Sequence, residues 1–193
     1  MHRFTLLVLA FILSLAGIAQ AGVVVDQEQL DNSAYMAWFP QTDLAQSFQQ
    51  ANSNIAGAAI QLEAGVGTSD DITISLWNAL PNAGGTMMAT GTDDGVAAGQ
   101  WAEVYWSPVS VVPDTTYYLV FTSANNTMGI AGSVTNPYPR GEVYANAGYE
   151  PFPGYDYTFE TYANVGGGVP EPASLSLVAG GLAAVLLLRR RLA

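Results

Sequence analysis

Six residues, ITISLW, narrow the folds open to this chain. Ile72, Ile74 and Leu76 alternate with Thr73, Ser75 and Trp77, a period of two that makes one apolar face on a strand and none on a helix. Asp70 and Asp71 stand just ahead, and LPNAGG from Leu80 to Gly85 closes the segment with turn residues. WAEVYW puts Trp101, Glu103 and Tyr105 on one face and Ala102, Val104 and Trp106 on the other. Trp101 and Trp106 are therefore out of phase, and a regular strand cannot turn both to the core. TYYLVF, from Thr116 to Phe121, is almost wholly β-branched or aromatic and follows a proline turn at Pro113 and Asp114. In YDYTFETY, Tyr155, Tyr157 and Phe159 alternate with Asp156, Thr158 and Glu160.

Weaker strand signals lie at Val23 to Val25, in AQSFQQ, in IAGAAIQL from Ile55 to Leu62, in GTMMAT, and from Gly129 to Val134. No stretch of the body sustains a 3.6-residue period, so the helical crossovers that a parallel sheet requires have no place. The nearest approach to a helix is DNSAYMAWFPQTD, which Pro40 interrupts. It reads as an irregular lead-in or a short helical turn. Eight or nine short strands about ten residues apart predict an all-β fold, an antiparallel β-sandwich, with the jelly roll as its finer variant. The body spans residues 22–165, ample for one domain with a core of its own.

Composition removes whole classes of chemistry. There is no cysteine, hence no disulfide framework, thiolate metal site or cysteine nucleophile. Lysine is absent, and the single histidine is His2. Histidine metal sites and Ser-His-Asp triads are thus closed to the body. The formal net charge is -11. Arg140 is the only cation between residues 22 and 165, against fifteen Asp and Glu. Such a surface repels nucleic acid and anionic lipid.

The ends are built differently. MHRFTLLVLAFILSLAGIAQAG has Arg3, an apolar run from Phe4 to Leu13, and Ala19 and Ala21 flanking Gln20. This is the layout of a secretory signal peptide over residues 1–21, cut by signal peptidase after Ala21. At the other end a glycine-rich spacer, 166–169, leads to Pro170, Glu171 and Pro172. An apolar run from Ala173 to Leu188 follows, then Arg189, Arg190 and Arg191. As a helix the run reaches about 24 Å, a little short of a hydrocarbon core near 30 Å. Snorkelling arginines and local thinning allow insertion, with the basic end in the cytoplasm.

Pro170-Glu171-Pro172, the helix, the triple arginine and the signal peptide together closely resemble the PEP-CTERM proteins of Gram-negative bacteria. The resemblance covers about twenty-five residues. It implies recognition by an exosortase, which removes the helix near the motif after transient anchoring in the inner membrane. It further implies a link to exopolysaccharide and biofilm, with a destination at the cell surface or in the extracellular matrix. An uncleaved membrane anchor is the competing reading of the same residues. The body also resembles secreted bacterial sandwich modules found with such anchors, through AQSFQQ, PVSVVPDTTYYLVF and the closing YDYTFETY. That likeness implies a fold and no activity.

Three chemistries stay open to the body. Sugar rings stack on exposed aromatics while their hydroxyls seek Asn, Asp, Gln or Glu. Trp77 faces away from Ile72, Ile74 and Leu76, and Trp101 and Trp106 compete for the core. NPYPRGEVYANAGYEPFPGY gathers Tyr138, Arg140, Tyr144, Tyr149, Phe152 and Tyr155 among loop residues. These suit a sugar platform, and equally suit caps at the ends of the sandwich, with Arg140 pairing a neighbouring acid. Calcium is the second chemistry. Asp70-Asp71 and Asp93-Asp94 are read as loop carboxylates beside Gly and Thr, the hard oxygen ligands that calcium takes; turn capping accounts for them as well. Glycoside hydrolysis needs only two carboxylates, and Glu63, Glu103, Glu142, Glu150 and Glu160 supply candidates without naming a pair. The expectation is a non-enzymatic, exported, matrix-directed structural or adhesive protein linked to extracellular polysaccharide. The alternative is a carbohydrate-binding module with a defined aromatic site.

Overall fold

The computed structural model describes residues 22–166. The segment expected to be a signal peptide, the spacer beyond Gly166, the Pro-Glu-Pro motif, the apolar run and the arginine cluster lie outside the described residues.

Thirteen strands occur among the described residues: β1 (Gly22–Gln29), β2 (Ala34–Trp38), β3 (Leu44–Gln49), β4 (Asn54–Glu63), β5 (Ser69–Trp77), β6 (Met87–Ala97), β7 (Trp101–Ser110), β8 (Thr116–Ser123), β9 (Gly129–Ser133), β10 (Val143–Ala145), β11 (Glu150–Phe152), β12 (Asp156–Tyr157) and β13 (Phe159–Val165). The helical content of the same residues is one 3₁₀ turn at Pro81–Ala83. One sheet has seven strands, in the order β1-β13-β4-β9-β12, with β2 on β9 and β7 on β4. The other has six, in the order β11-β10-β3-β8-β5-β6. Neighbours such as β3, β8 and β5 are distant in sequence and pair antiparallel. This is the connectivity of a two-sheet antiparallel sandwich.

The predicted alternation builds the core between the sheets. Ile72, Ile74 and Leu76 of β5 are fully buried, beside Leu119 and Phe121 of β8 and Leu44 and Phe48 of β3. The seven-stranded sheet answers with Ile60, Leu62, Ala102, Val104, Ile130, Tyr157 and Phe159. Each full-size apolar side chain so placed contributes about 2 kcal/mol. Aromatic contacts join the layers: Phe121 meets Tyr157 edge-on at 5.8 Å, and Phe48 meets Phe159 at 6.4 Å.

AQSFQQ lies within and just beyond the central strand β3, and its glutamines explain its polar look. Gln46 accepts the Tyr157 amide at 2.9 Å and donates to Asp156 at 3.0 Å. Gln50 accepts the Thr161 hydroxyl at 2.8 Å and donates to the Asn54 carbonyl. Buried amides of this kind satisfy backbone and side-chain groups at places where strands end.

Four local expectations are corrected. DNSAYMAWFPQTD contains a strand, β2, whose bulge between Tyr35 and Ala37 lets Met36 and Ala37 both pack on the core. Asp70 and Asp71 belong to β5, and Asp93 and Asp94 to β6, so none of the four is a loop residue. YDYTFETY is two strands, β12 on β9 and β13 on β4. At the first of them Asp156 is buried with Tyr157 and not turned to water.

Candidate functional site

Because the inward residues of the six-stranded sheet are fixed by the core, its outward residues are fixed too. Trp77 on β5 lies directly opposite Tyr118 on β8, and Tyr118 opposite Ser47 on β3. Tyr144 on β10 sits beside Ala45 on β3 and reaches Tyr118, ring edge to ring face, at 5.7 Å. The three half-exposed rings cross four adjacent strands, a span of about 14 Å at the usual strand spacing. Beneath them are small side chains: Ala45, Ser47 and Val120 face outward and are nonetheless buried.

Polar groups border the row on both sides. The Tyr144 hydroxyl donates to Glu142 Oε1 at 2.7 Å. Burial and the Glu142 carboxylate raise that hydroxyl well above the ordinary tyrosine value, so it stays a protonated donor. Ser47 Oγ accepts the Glu142 amide at 2.9 Å, which holds the carboxylate's backbone against β3. At the other border hydroxyls pair across β5 and β6, Thr73 with Thr92 at 2.8 Å and Ser75 with Thr90 at 3.0 Å. An aromatic row over a small-residue floor, edged by hydroxyls and one carboxylate, presents both halves of what a sugar requires.

The remaining expected residues are dispersed. Trp106 turns to the core and donates its indole N–H to the Ile55 carbonyl at 3.1 Å. Trp101 takes the outward phase on the other sheet, opposite Gln61. Tyr138 is 7% exposed. Its hydroxyl donates to Gln27 Oε1 at 3.0 Å and its ring packs edge-on against Phe159 at 5.2 Å, so it caps the core. Arg140 donates to Gln49 Oε1 and forms an ion pair with Asp114. Tyr149 occupies a positive-φ turn beside Asp43, whose Oδ2 accepts the Gly148 amide. Tyr155 stacks on Phe152 at 6.4 Å in the following turn. Tyr118 completes the row and was missed, because after Thr116 the segment TYYLVF has no polar alternation to tell its faces apart.

The paired aspartates serve the backbone. Asp70 is 2% exposed. It accepts from Ser123 Oγ at 2.6 Å, from the Thr127 hydroxyl at 2.8 Å and amide at 2.9 Å, and from both nitrogens of Asn125 at 3.0 Å. Burial alone would raise its pKa, but these donors outweigh it and hold the carboxyl far below the usual range. Donors ring both oxygens, which stabilises the ionised carboxylate and leaves a cation no free lone pairs. Asp71 Oδ1 accepts the Gly95 amide and Asp93 Oδ2 the Glu103 amide, both as turn and strand clamps. Among the described residues no group of three or more carboxylates or imidazoles is placed to hold a metal ion.

No protein-family model and no curated protein matches the chain. Among solved structures it is similar to one described as the cysteine protease and lectin-like domains of Cwp84, a surface layer associated protein of Clostridium difficile. Identity there is 11%, the TM-score 0.53, and the alignment covers 74% of this chain and 36% of that one. A second, a variant of the clostridial cysteine protease Cwp84 after propeptide cleavage, gives 10% identity and a TM-score of 0.52 over 74% of this chain and 40% of that one. The chain therefore spans well under half of each neighbour, and at these identities the likeness is one of fold.

Proposed function

We propose that this protein is an exported, non-enzymatic glycan-binding module that works at the cell surface or in the extracellular matrix, and that the outer face of the six-stranded sheet is its binding face. The observation that carries the reading is the Trp77-Tyr118-Tyr144 row, rooted in three different strands and edged by Glu142 and by paired Ser and Thr hydroxyls. Ring faces held by a sheet lose little conformational freedom on binding, so stacking on a sugar is not offset by ordering them. Part of a surface layer associated protein that has cysteine protease and lectin-like domains is similar in fold, which fits this setting. The Pro-Glu-Pro motif, apolar run and arginines supply delivery: transient inner-membrane anchoring, then exosortase cleavage.

Two experiments test it. Isothermal titration with neutral oligosaccharides derived from the host's exopolysaccharide gives a saturable site, weakened at least ten-fold by Trp77→Ala with Tyr144→Ala. Unchanged affinity in that folded variant removes the face from the account. Intact-mass analysis of mature protein from its host gives a chain that starts near Gly22 and ends near Glu171. A chain that retains residues 173–193 and stays in the inner membrane contradicts the sorting reading and leaves a tethered domain.

A further inference from the structure

The outer face of the seven-stranded sheet carries a second constellation, built on β4 with β7 and β13 at its flanks. Gly57 lies opposite Tyr105 on one side and Tyr162 on the other; Ala59 lies opposite Glu103 and Glu160 in the same way. The two tyrosine rings stack across Gly57 at 5.2 Å, 19° from parallel. A Cβ at Gly57 would come within 3.0 Å of the Tyr105 ring and 3.1 Å of the Tyr162 ring, so the glycine makes the room. Each tyrosine hydroxyl donates to the glutamate two residues before it, Tyr105 to Glu103 at 3.3 Å and Tyr162 to Glu160 at 2.8 Å. Tyr105 is 56% exposed and Tyr162 lies beneath it. The next outward residue of β7 is Trp101, beside Gln61.

What this face lacks is positive charge. Arg140, the only basic residue among those described, is paired with Asp114. Glu103 and Glu160 flank one alanine on adjacent strands, about 10 Å apart at the backbone, and their only side-chain donors are the two tyrosine hydroxyls. Both carboxylates raise the stacked pair's pKa values, after burial, so the hydroxyls remain neutral donors. A single ammonium set between the carboxylates would be attracted by both and would lie close to ring faces that favour cations. A calcium ion would need six to eight oxygens, which two glutamates do not provide, and would leave the rings unused. A sugar bearing a free amine uses rings and carboxylates together.

We infer that this second face binds a cationic amino sugar, a de-N-acetylated hexosamine unit of a polysaccharide, through Glu103 and Glu160 with Tyr105 as its stacking surface. The inference extends the glycan reading to the opposite side of the sandwich and rests on it for the class of ligand alone. With one neutral and one cationic face, the domain would link two chains of a matrix.

The test is titration of the folded domain, residues 22–166, with a glucosamine trimer and with its fully N-acetylated counterpart, at a pH that keeps the amine protonated. The free-amine trimer is expected to bind saturably and at least ten-fold tighter than the acetylated one. Glu103→Gln with Glu160→Gln abolishes the difference, whereas the charge-matched Glu150→Gln with Asp94→Asn, with Glu150 on β11 of the other sheet, preserves it. Trp77→Ala with Tyr144→Ala leaves it intact, so failure of the first face and failure of this one are separate results. Equal affinity for both trimers, no binding of either, or equal loss in the two charge-neutralised variants overturns the inference.

Discussion

At the scale of the residue, Asp70 shows how one carboxylate fixes a loop. Its oxygens collect donors from residues 123–127 and from the Asp71 amide. Asp70→Asn replaces one acceptor by an amide nitrogen aimed at donors. It should cost about 3 kcal/mol, read as a lower urea midpoint with unchanged slope. The pH dependence follows from a folded pKa below the unfolded one. The stability it contributes is complete above the unfolded carboxylate value, about 3.9, and is lost as pH falls from there toward the folded pKa. Wild-type protein therefore loses stability in that acid window, and Asp70→Asn loses less; an identical acid profile in the two would contradict the assignment. Asp70 was visible in the sequence as an acid beside a strand, but its partners in residues 123–127 lie more than fifty residues away, and only the fold brings them. Trp77 was legible as an outward residue because three aliphatics fix the phase of its strand. Tyr138 was not, since a tyrosine between two prolines looks the same as a platform or as a cap.

At the scale of the element, a strand with a polar face was readable in both place and phase, whereas a strand apolar on both faces, such as β8 or β4, gave its place without its phase. β5 was evident from its alternation. β4, with Gly57, Ala58, Ala59 and Ile60 in sequence, is covered on both sides, so period two does not show in it. β2 escaped because a five-residue strand with a bulge has no clean phase. WAEVYW gave the right dilemma, and the structure resolves it by turning Trp106 inward and leaving Trp101 with Glu103 and Tyr105. The prediction at this scale concerns β4 against β7. A Cβ at position 57 would stand 2.5 Å from the Val104 carbonyl oxygen, a backbone atom that cannot swing away. Gly57→Ala should shift that pairing and separate the Tyr105-Tyr162 stack, at a cost of about 2 kcal/mol. Urea unfolding and the near-ultraviolet tyrosine dichroism check both effects, and a variant with native stability and native dichroism would show that the strand has slack.

At the scale of the whole molecule, the two-sheet antiparallel sandwich was legible from strand spacing, while the number of strands was underestimated because several have five residues or fewer. Thirteen strands in sheets of seven and six also exceed the eight of a minimal jelly roll. The candidate face was half legible. Trp77 and Tyr144 were named separately, with nothing in the sequence to join them, because β10 reaches β8 only across β3. The central claim is that this protein binds glycan on the Trp77-Tyr118-Tyr144 face. The most direct test is a 15N–1H titration of the folded domain with an oligosaccharide of the host's exopolysaccharide. The account predicts saturable shifts at the Trp77 indole and at the amides of residues 45–47, 118–120 and 142–144, with the core amides unmoved. Shifts confined to other surfaces, or none at saturating sugar, would contradict it.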